Sequence, residues 1–173
     1  MAGIHPLVFQ LKFTRDEFKR ALKGLAEEDA TKRLMPMNCI SWNVGHLAWQ
    51  EQRYFLDFGQ GLLPYPEIQE AYAYGAPGST PPLREVLSYW RRITHAADPW
   101  LESLTSEKLL EQVIKDGKPL QRMFGNLLQR TIYHYWYHTG ENLAIRQMLG
   151  HTHLPDFVGN IDRQAPYTPE KNE

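Results

Sequence analysis

The sequence predicts an all-α protein, a four-helix bundle, and three observations carry that expectation. Apolar residues recur at three- and four-residue steps through four long segments, the spacing that lines one face of a helix. No segment alternates convincingly in the way a half-buried strand does. The connections between them are rich in Gly, Pro or charge, which punctuates helices. With 173 residues, 42% hydrophobic and 23% charged, the chain suits one globular domain over residues 1–173 with a real core.

The first helix is expected from about Pro6 to Leu25, where Leu7, Leu11, Phe18, Ala21, Leu22 and Leu25 mark an apolar face between charges. Gly24 and the acidic Glu27, Glu28 and Asp29 suggest its end and an exposed turn. His5, just ahead of Pro6, reads as a surface residue. Arg15, Lys19, Arg20 and Lys23 read as the solvated face of this helix.

The second helix runs from about Trp42 to Phe58, with Ser41 as its expected N-cap. Trp42, Val44, Leu47, Trp49, Tyr54, Phe55 and Phe58 spread around it, which predicts an interior helix. Taken alone, His46 reads as a neutral core histidine satisfied by one hydrogen bond. At 100° per residue it is also turned by roughly a quarter circle from the arc through Val44, Leu47, Phe55 and Phe58, which would let it face a groove between helices. Glu51 projects into that arc. A buried carboxylate must be paired, protonated or hydrogen-bonded, so Glu51 is either a structural anchor or a functional acid.

Residues 59–82 form a long loop rich in Gly, Pro and Tyr. A connection of that length is often functional, and it is expected to cover the site, with tyrosines that shape a pocket or pack on the bundle. Pro81 and Pro82 lead into a third helix, about Leu83 to Leu104, which Pro99 is expected to kink or shorten. A connection from Thr105 to Gln121 contains the turn signal Asp116-Gly117. The fourth helix follows from about Met123 to Leu149, closed by Gly150. From about residue 151 the chain reads as an extended tail, laid on the surface and frayed at its end.

Chemistry concentrates on the fourth helix. His134 and His138 sit one turn apart and face the same way, so both can grip one metal ion. The same spacing also suits packed or solvated histidines. A helical zinc-protease motif needs Glu directly after its first His; here Tyr135 follows, which excludes that class. Glu141 lies seven residues beyond His134, about 10.5 Å along the helix axis, too far for easy sharing of one ion. It is expected to orient a ligand or handle a proton. In a bundle, metal sites are built from inward side chains on facing helices, so His46 from the second helix is the expected third ligand. Three imidazoles would leave an open position for water or substrate.

Two motifs also carry a family resemblance: Ser41-Trp42-Asn43-Val44-Gly45-His46-Leu47-Ala48, and His134-x3-His138-Thr139-Gly140-Glu141 followed by Ile145-Arg146-x2-Leu149-Gly150. In their order, spacing and place in a bundle they resemble the DinB/YfiT-like superfamily, close to its DinB_2 branch, from the first helix to Gly150. The resemblance implies a four-helix bundle and a divalent metal, Zn, Ni or Fe, on His46, His134 and His138. It also implies frequent homodimers. Similar proteins include S-transferases and isomerases that use low-molecular-weight thiols such as bacillithiol or mycothiol, and many members have no assigned activity. The leading expectation is therefore a thiol S-transferase acting on a small-molecule substrate. A metal-assisted hydrolase, in which Glu141 or Glu51 moves protons, is the second expectation. A non-catalytic, stress-associated metal- or ligand-binding dimer is the third, favoured if His95, His151 or Cys39 closes the metal's fourth position.

Composition narrows the partners. A net charge of −1 and a mixed surface argue against a nucleic-acid binder, which usually shows a basic stripe. Cys39 is the single cysteine, so no internal disulfide forms, and a reducing cytoplasm fits. The N-terminal apolar run is short, lacks a basic lead and contains Lys12, so no signal peptide is expected. No stretch approaches the ~20 apolar residues of a membrane span.

Overall fold

Pro6 opens the first helix, where its missing N–H is no loss, and the Nδ1 of His5 accepts from the Leu7 amide at 3.1 Å. His5 is thus the cap of this helix, a role its composition did not announce. The computed structural model describes residues 3–156 and 158–168, so the expected fraying of the last residues falls outside it. Helix α1 spans Pro6–Ala21 and stops short of the expected Leu25. The chain then turns at Gly24, which has φ 72°, into a short helix α2, Glu27–Ala30, where an exposed turn was expected.

Helix α3, Ile40–Glu51, begins two residues before the expected start. Cys39 occupies the N-cap position without a side-chain capping bond, and Ser41 lies inside the helix. The path continues through a π-helical segment, Gln52–Asp57, and a final turn α4, Phe58–Gln60, which ends at Gly61 with φ 69°. The wider π turn changes the angular phase of every later side chain. It allows Tyr54, Phe55 and Leu56, three consecutive residues, all to be buried.

The expected loop from 59 to 82 contains a helix, α5, Glu67–Tyr72, held by Gln52, whose side chain bonds both the amide and the carbonyl of Tyr65. Helix α6, Leu83–Glu102, runs through Pro99 and is not ended by it. Helix α7, Ser106–Leu110, is capped by Thr105 Oγ1.

The connection after α7 corrects the all-α expectation. Strands β1, Gln112–Lys115, and β2, Lys118–Met123, form an antiparallel hairpin with a register shift between Gln112 and Ile114. Its turn is Asp116-Gly117, with φ 51° and 72°. Asp-Gly with both residues at positive φ is the two-residue turn whose twist matches paired strands. The strands are short and largely exposed, which is why apolar periodicity missed them; only Val113 is fully buried.

Helix α8, Phe124–Met148, closes with two reversed bonds, His151 N–H to the Arg146 carbonyl and Gly150 N–H to the Gln147 carbonyl, with Gly150 at φ 84°. That is the Schellman arrangement, which needs a left-handed residue just past the helix end. A short α9, Ile161–Gln164, lies in the tail. The protein is predominantly helical. α3 packs on α6 and α8, and α1 lies along α8. Phe18, Leu47, Phe55, Ile93, Leu127 and Tyr135 are fully buried in the core that these four long segments share.

A buried ion pair ties this core together and corrects the reading of Arg15 as a solvated residue. Arg15 forks onto Glu51 at 2.7 and 2.6 Å and reaches Asp98 at 2.6 Å. Glu51 is 0% exposed and also accepts from the Tyr135 hydroxyl at 2.9 Å. Burial lowers the Arg15 pKa, and the charge and hydrogen bonds of Glu51, together with Tyr135 and Asp98, more than offset this, so the guanidinium stays charged. No helix among the described residues is long and apolar enough to cross a membrane.

Candidate metal centre

His46 sits where its own helix fixes its ring. Trp42 is one turn before it and Trp49 one turn after, and both indoles stack on the imidazole at 5.0 and 5.2 Å between centroids. Gly45, next to His46, lets the Tyr72 ring of α5 press onto α3; a Cβ at Gly45 would meet that ring at 2.8 Å. The same close approach delivers the Tyr72 carbonyl to the site. It accepts from His46 Nδ1–H at 2.6 Å, which leaves Nε2 as the free nitrogen.

His134 and His138 project from α8 toward that ring. Their centroids lie 4.9 and 5.4 Å from that of His46 and 4.6 Å from each other. His138 Nδ1 donates to Glu141 Oε2 at 2.7 Å, and its Nε2 faces His134 Nε2 at 3.0 Å. One nitrogen of each of the three histidines lies within 4.8 Å of the others, and no other such group of His, Cys, Asp or Glu occurs among the described residues.

Burial keeps the His46 and His134 rings neutral. It lowers the His46 pKa to about 4, and, with His138 and His46 as lesser contributors, the His134 pKa to about 3. Imidazole lone pairs that converge repel one another until a cation lies between them. The chemistry of the donor set therefore fits a divalent ion of the kind nitrogen ligands favour. His134 Nδ1 and Gln50 Oε1 are among the buried polar atoms without a partner among the described residues. The first is the nitrogen that would carry the proton if Nε2 of His134 took the ion.

Glu141 is held from the other helix as well. Asn43 Nδ2 donates to Glu141 Oε2 at 3.0 Å and to Asn142 Oδ1 at 2.9 Å. Asn43 was not singled out from the sequence, although its place three residues before His46 puts it on the same side of α3. The Tyr72 carbonyl had no signal at all, because any residue type offers that group. Trp42 and Trp49 had one, being at i−4 and i+3 from His46.

The remaining candidates lie elsewhere. Glu51 contacts Arg15 and Tyr135 and none of the three histidines. Cys39 Sγ donates to the Ser79 carbonyl, and His151 binds Arg146 and Asp29. His95 lines a separate cavity of about 440 Å³ beside Arg15 and Asp98.

The three-histidine group opens onto a cavity of about 1040 Å³ lined by His46 and His134, and by residues of the π segment, of β2 and of α8. Tyr74, from the long connection, is 91% exposed and forms part of its rim. Tyr133 and Tyr137, exposed on α8, give it aromatic walls.

No curated protein matches the chain. The family model of the DinB superfamily, DinB_2, matches residues 10–141, a span that takes in His46, His134, His138 and Glu141. With that match over most of its length and a histidine cluster able to hold a metal ion, the chain belongs to the DinB superfamily.

Proposed function

We propose that this protein is a metal-dependent thiol S-transferase, with a divalent ion, Zn, Ni or Fe, on His46, His134 and His138. The observation that carries the reading is one-sided: two of the three rings bind protein through Nδ1, to the Tyr72 carbonyl and to Glu141, while the opposite edges converge beside an open cavity. Such an ion would supply Lewis-acid charge that favours the deprotonated form of a thiol at neutral pH. His46, His134 and His138 hold their lone pairs in place before the ligand arrives. Glu141 fixes the tautomer and orientation of His138, and Asn43 holds Glu141. The thiol proton would pass to solvent through the open cavity, and the aromatic walls of Tyr133 and Tyr137 would position the electrophile.

Glu51 in this reading is an anchor for Arg15 and takes no part in proton transfer. The hydrolase reading is weaker because Glu141, the nearest carboxylate, is already engaged by His138 and Asn43. A non-catalytic metal store is weaker because Cys39 and His151, which would close the site, bind other partners. The four long helical segments are taken as a four-helix bundle of the DinB type, a single domain working as a homodimer in the cytoplasm.

The test is elemental analysis of tag-free protein together with proton release on adding a small thiol at pH 7. About one ion per chain, lost in folded His46→Ala, His134→Ala and His138→Ala variants, with proton release only from the loaded wild type, is the expected outcome. Protein that stays free of metal after incubation with Zn, Ni and Fe(II) sinks the reading. Metal without thiol-dependent proton release would move it to the hydrolase.

A further inference from the structure

The cavity beside the histidines carries a charge imbalance that metal binding does not use. The chain as a whole is nearly neutral, at −1. Yet Arg53, Arg122 and Arg130 all line this cavity, and no Asp or Glu does so among the described residues. The three come from different elements, the π segment, β2 and α8, so their meeting is a property of the tertiary fold. None of them pairs with a carboxylate among the described residues, whereas Arg15, Arg20 and Lys115 do.

Arg53 is moreover held in place. Its guanidinium lies 5.5 Å from the Trp49 ring centroid and 5.4 Å from that of Phe58, an arrangement that restrains the side chain and leaves its N–H groups unspent. A concave site lined by one sign of charge focuses its field on an incoming ion of the other sign. Guanidinium groups match the planar, two-oxygen face of a carboxylate or a phosphate better than any other side chain. Resting on the reading above, which puts the reacting centre at His46, His134 and His138, we infer that the substrate is a small organic anion. Its carboxylate or phosphate is bound by Arg53, Arg122 and Arg130 while its reactive end meets the histidines.

The experiment is calorimetric titration of the full chain, metal-depleted and then zinc-loaded, with succinate and separately with inorganic phosphate at low ionic strength. Metal-depleted wild type is expected to bind at least one of the two anions saturably, and the tighter of them assigns the group as carboxylate or phosphate. An R53Q/R122Q/R130Q variant is expected to bind that anion at least roughly tenfold more weakly. The exposed single changes R122Q and R130Q each weaken it in part, and R91Q, in the other cavity, leaves it unchanged. Absence of saturable binding, or equal affinity in the triple variant, overturns the inference. If the arginines bind the anion in a protein that takes up no metal, the anion site stands and the metalloenzyme reading falls. If metal is bound and the anions are not, the inference alone falls.

Discussion

At the scale of single residues, the site depends on groups that touch a histidine. Glu141→Gln retains the shape of the side chain but weakens the acceptor for His138 Nδ1–H. Its metal affinity, read by competition with a chromophoric chelator, is expected to fall by roughly 10- to 100-fold. The buried pair is a matter of stability instead. Arg15→Met leaves the Glu51 carboxyl group without its counter-charge at 0% exposure and is expected to cost about 3–5 kcal/mol in urea unfolding. Replacing both partners, Arg15→Met with Glu51→Met, is expected to cost clearly less than the sum of the two single changes, and an additive result would remove the ion pair from the account.

The lowered pKa values of His46 and His134 also have a signed consequence in metal-depleted protein. Between pH 6.5, the ordinary imidazole value, and about 4 to 3, the unfolded chain binds protons at these positions that the folded chain refuses. Stability should then fall as pH falls through this window, by at most about 1.4 kcal/mol per pH unit for each group. The contribution is fully present above the ordinary value. A His134→Gln variant with the same pH slope as wild type would show that His134 does not contribute.

Between elements, small residues decide how closely the site's supports approach. Gly45→Ala places a methyl group 2.8 Å from the Tyr72 ring, so α5 must move away from α3. That shift loosens the carbonyl that holds His46. The expected outcome is about 1–3 kcal/mol of destabilisation by overpacking, together with weaker metal binding. Full metal affinity in a destabilised variant would break the proposed link between α5 and the site. The four long helical segments were legible because each carries its own 3.6-residue periodicity, from Leu7 to Leu22 in the first and through the His134 and His138 face in the last. Boundaries moved where a local alternative won: Cys39 instead of Ser41 at the second helix, the π segment after Glu51, α5 inside a Pro- and Gly-rich stretch. The hairpin was missed although its Asp116-Gly117 turn was noticed, because two short, exposed strands bury too little to leave a pattern.

For the whole molecule, the centre joins α3 to α8 and so couples metal to the fold. A ligand that binds only the folded state adds RT ln(1 + [L]/Kd), about 2.7 kcal/mol at a free-ion concentration of 100 Kd. Zinc is therefore expected to raise the urea midpoint of wild type and to leave that of His46→Ala unmoved; an equal rise in both would mean that the ion binds elsewhere. By itself the sequence determined what local spacing determines. It yielded the four long helical segments, the i, i+4 pair His134 and His138, the Asp-Gly turn, and the absence of a basic stripe. The tertiary structure alone decided what depends on distant partners: that His46 meets that pair, that Arg15 is buried on Glu51, that the Tyr72 carbonyl and Asn43 support the centre, and that β2 brings Arg122 to a cavity shared with Arg53 and Arg130. The reason is physical. Helical periodicity and turn chemistry act over a few neighbouring residues, whereas the partner of a buried charge or of a ligand's second nitrogen is chosen by packing between elements far apart in the chain.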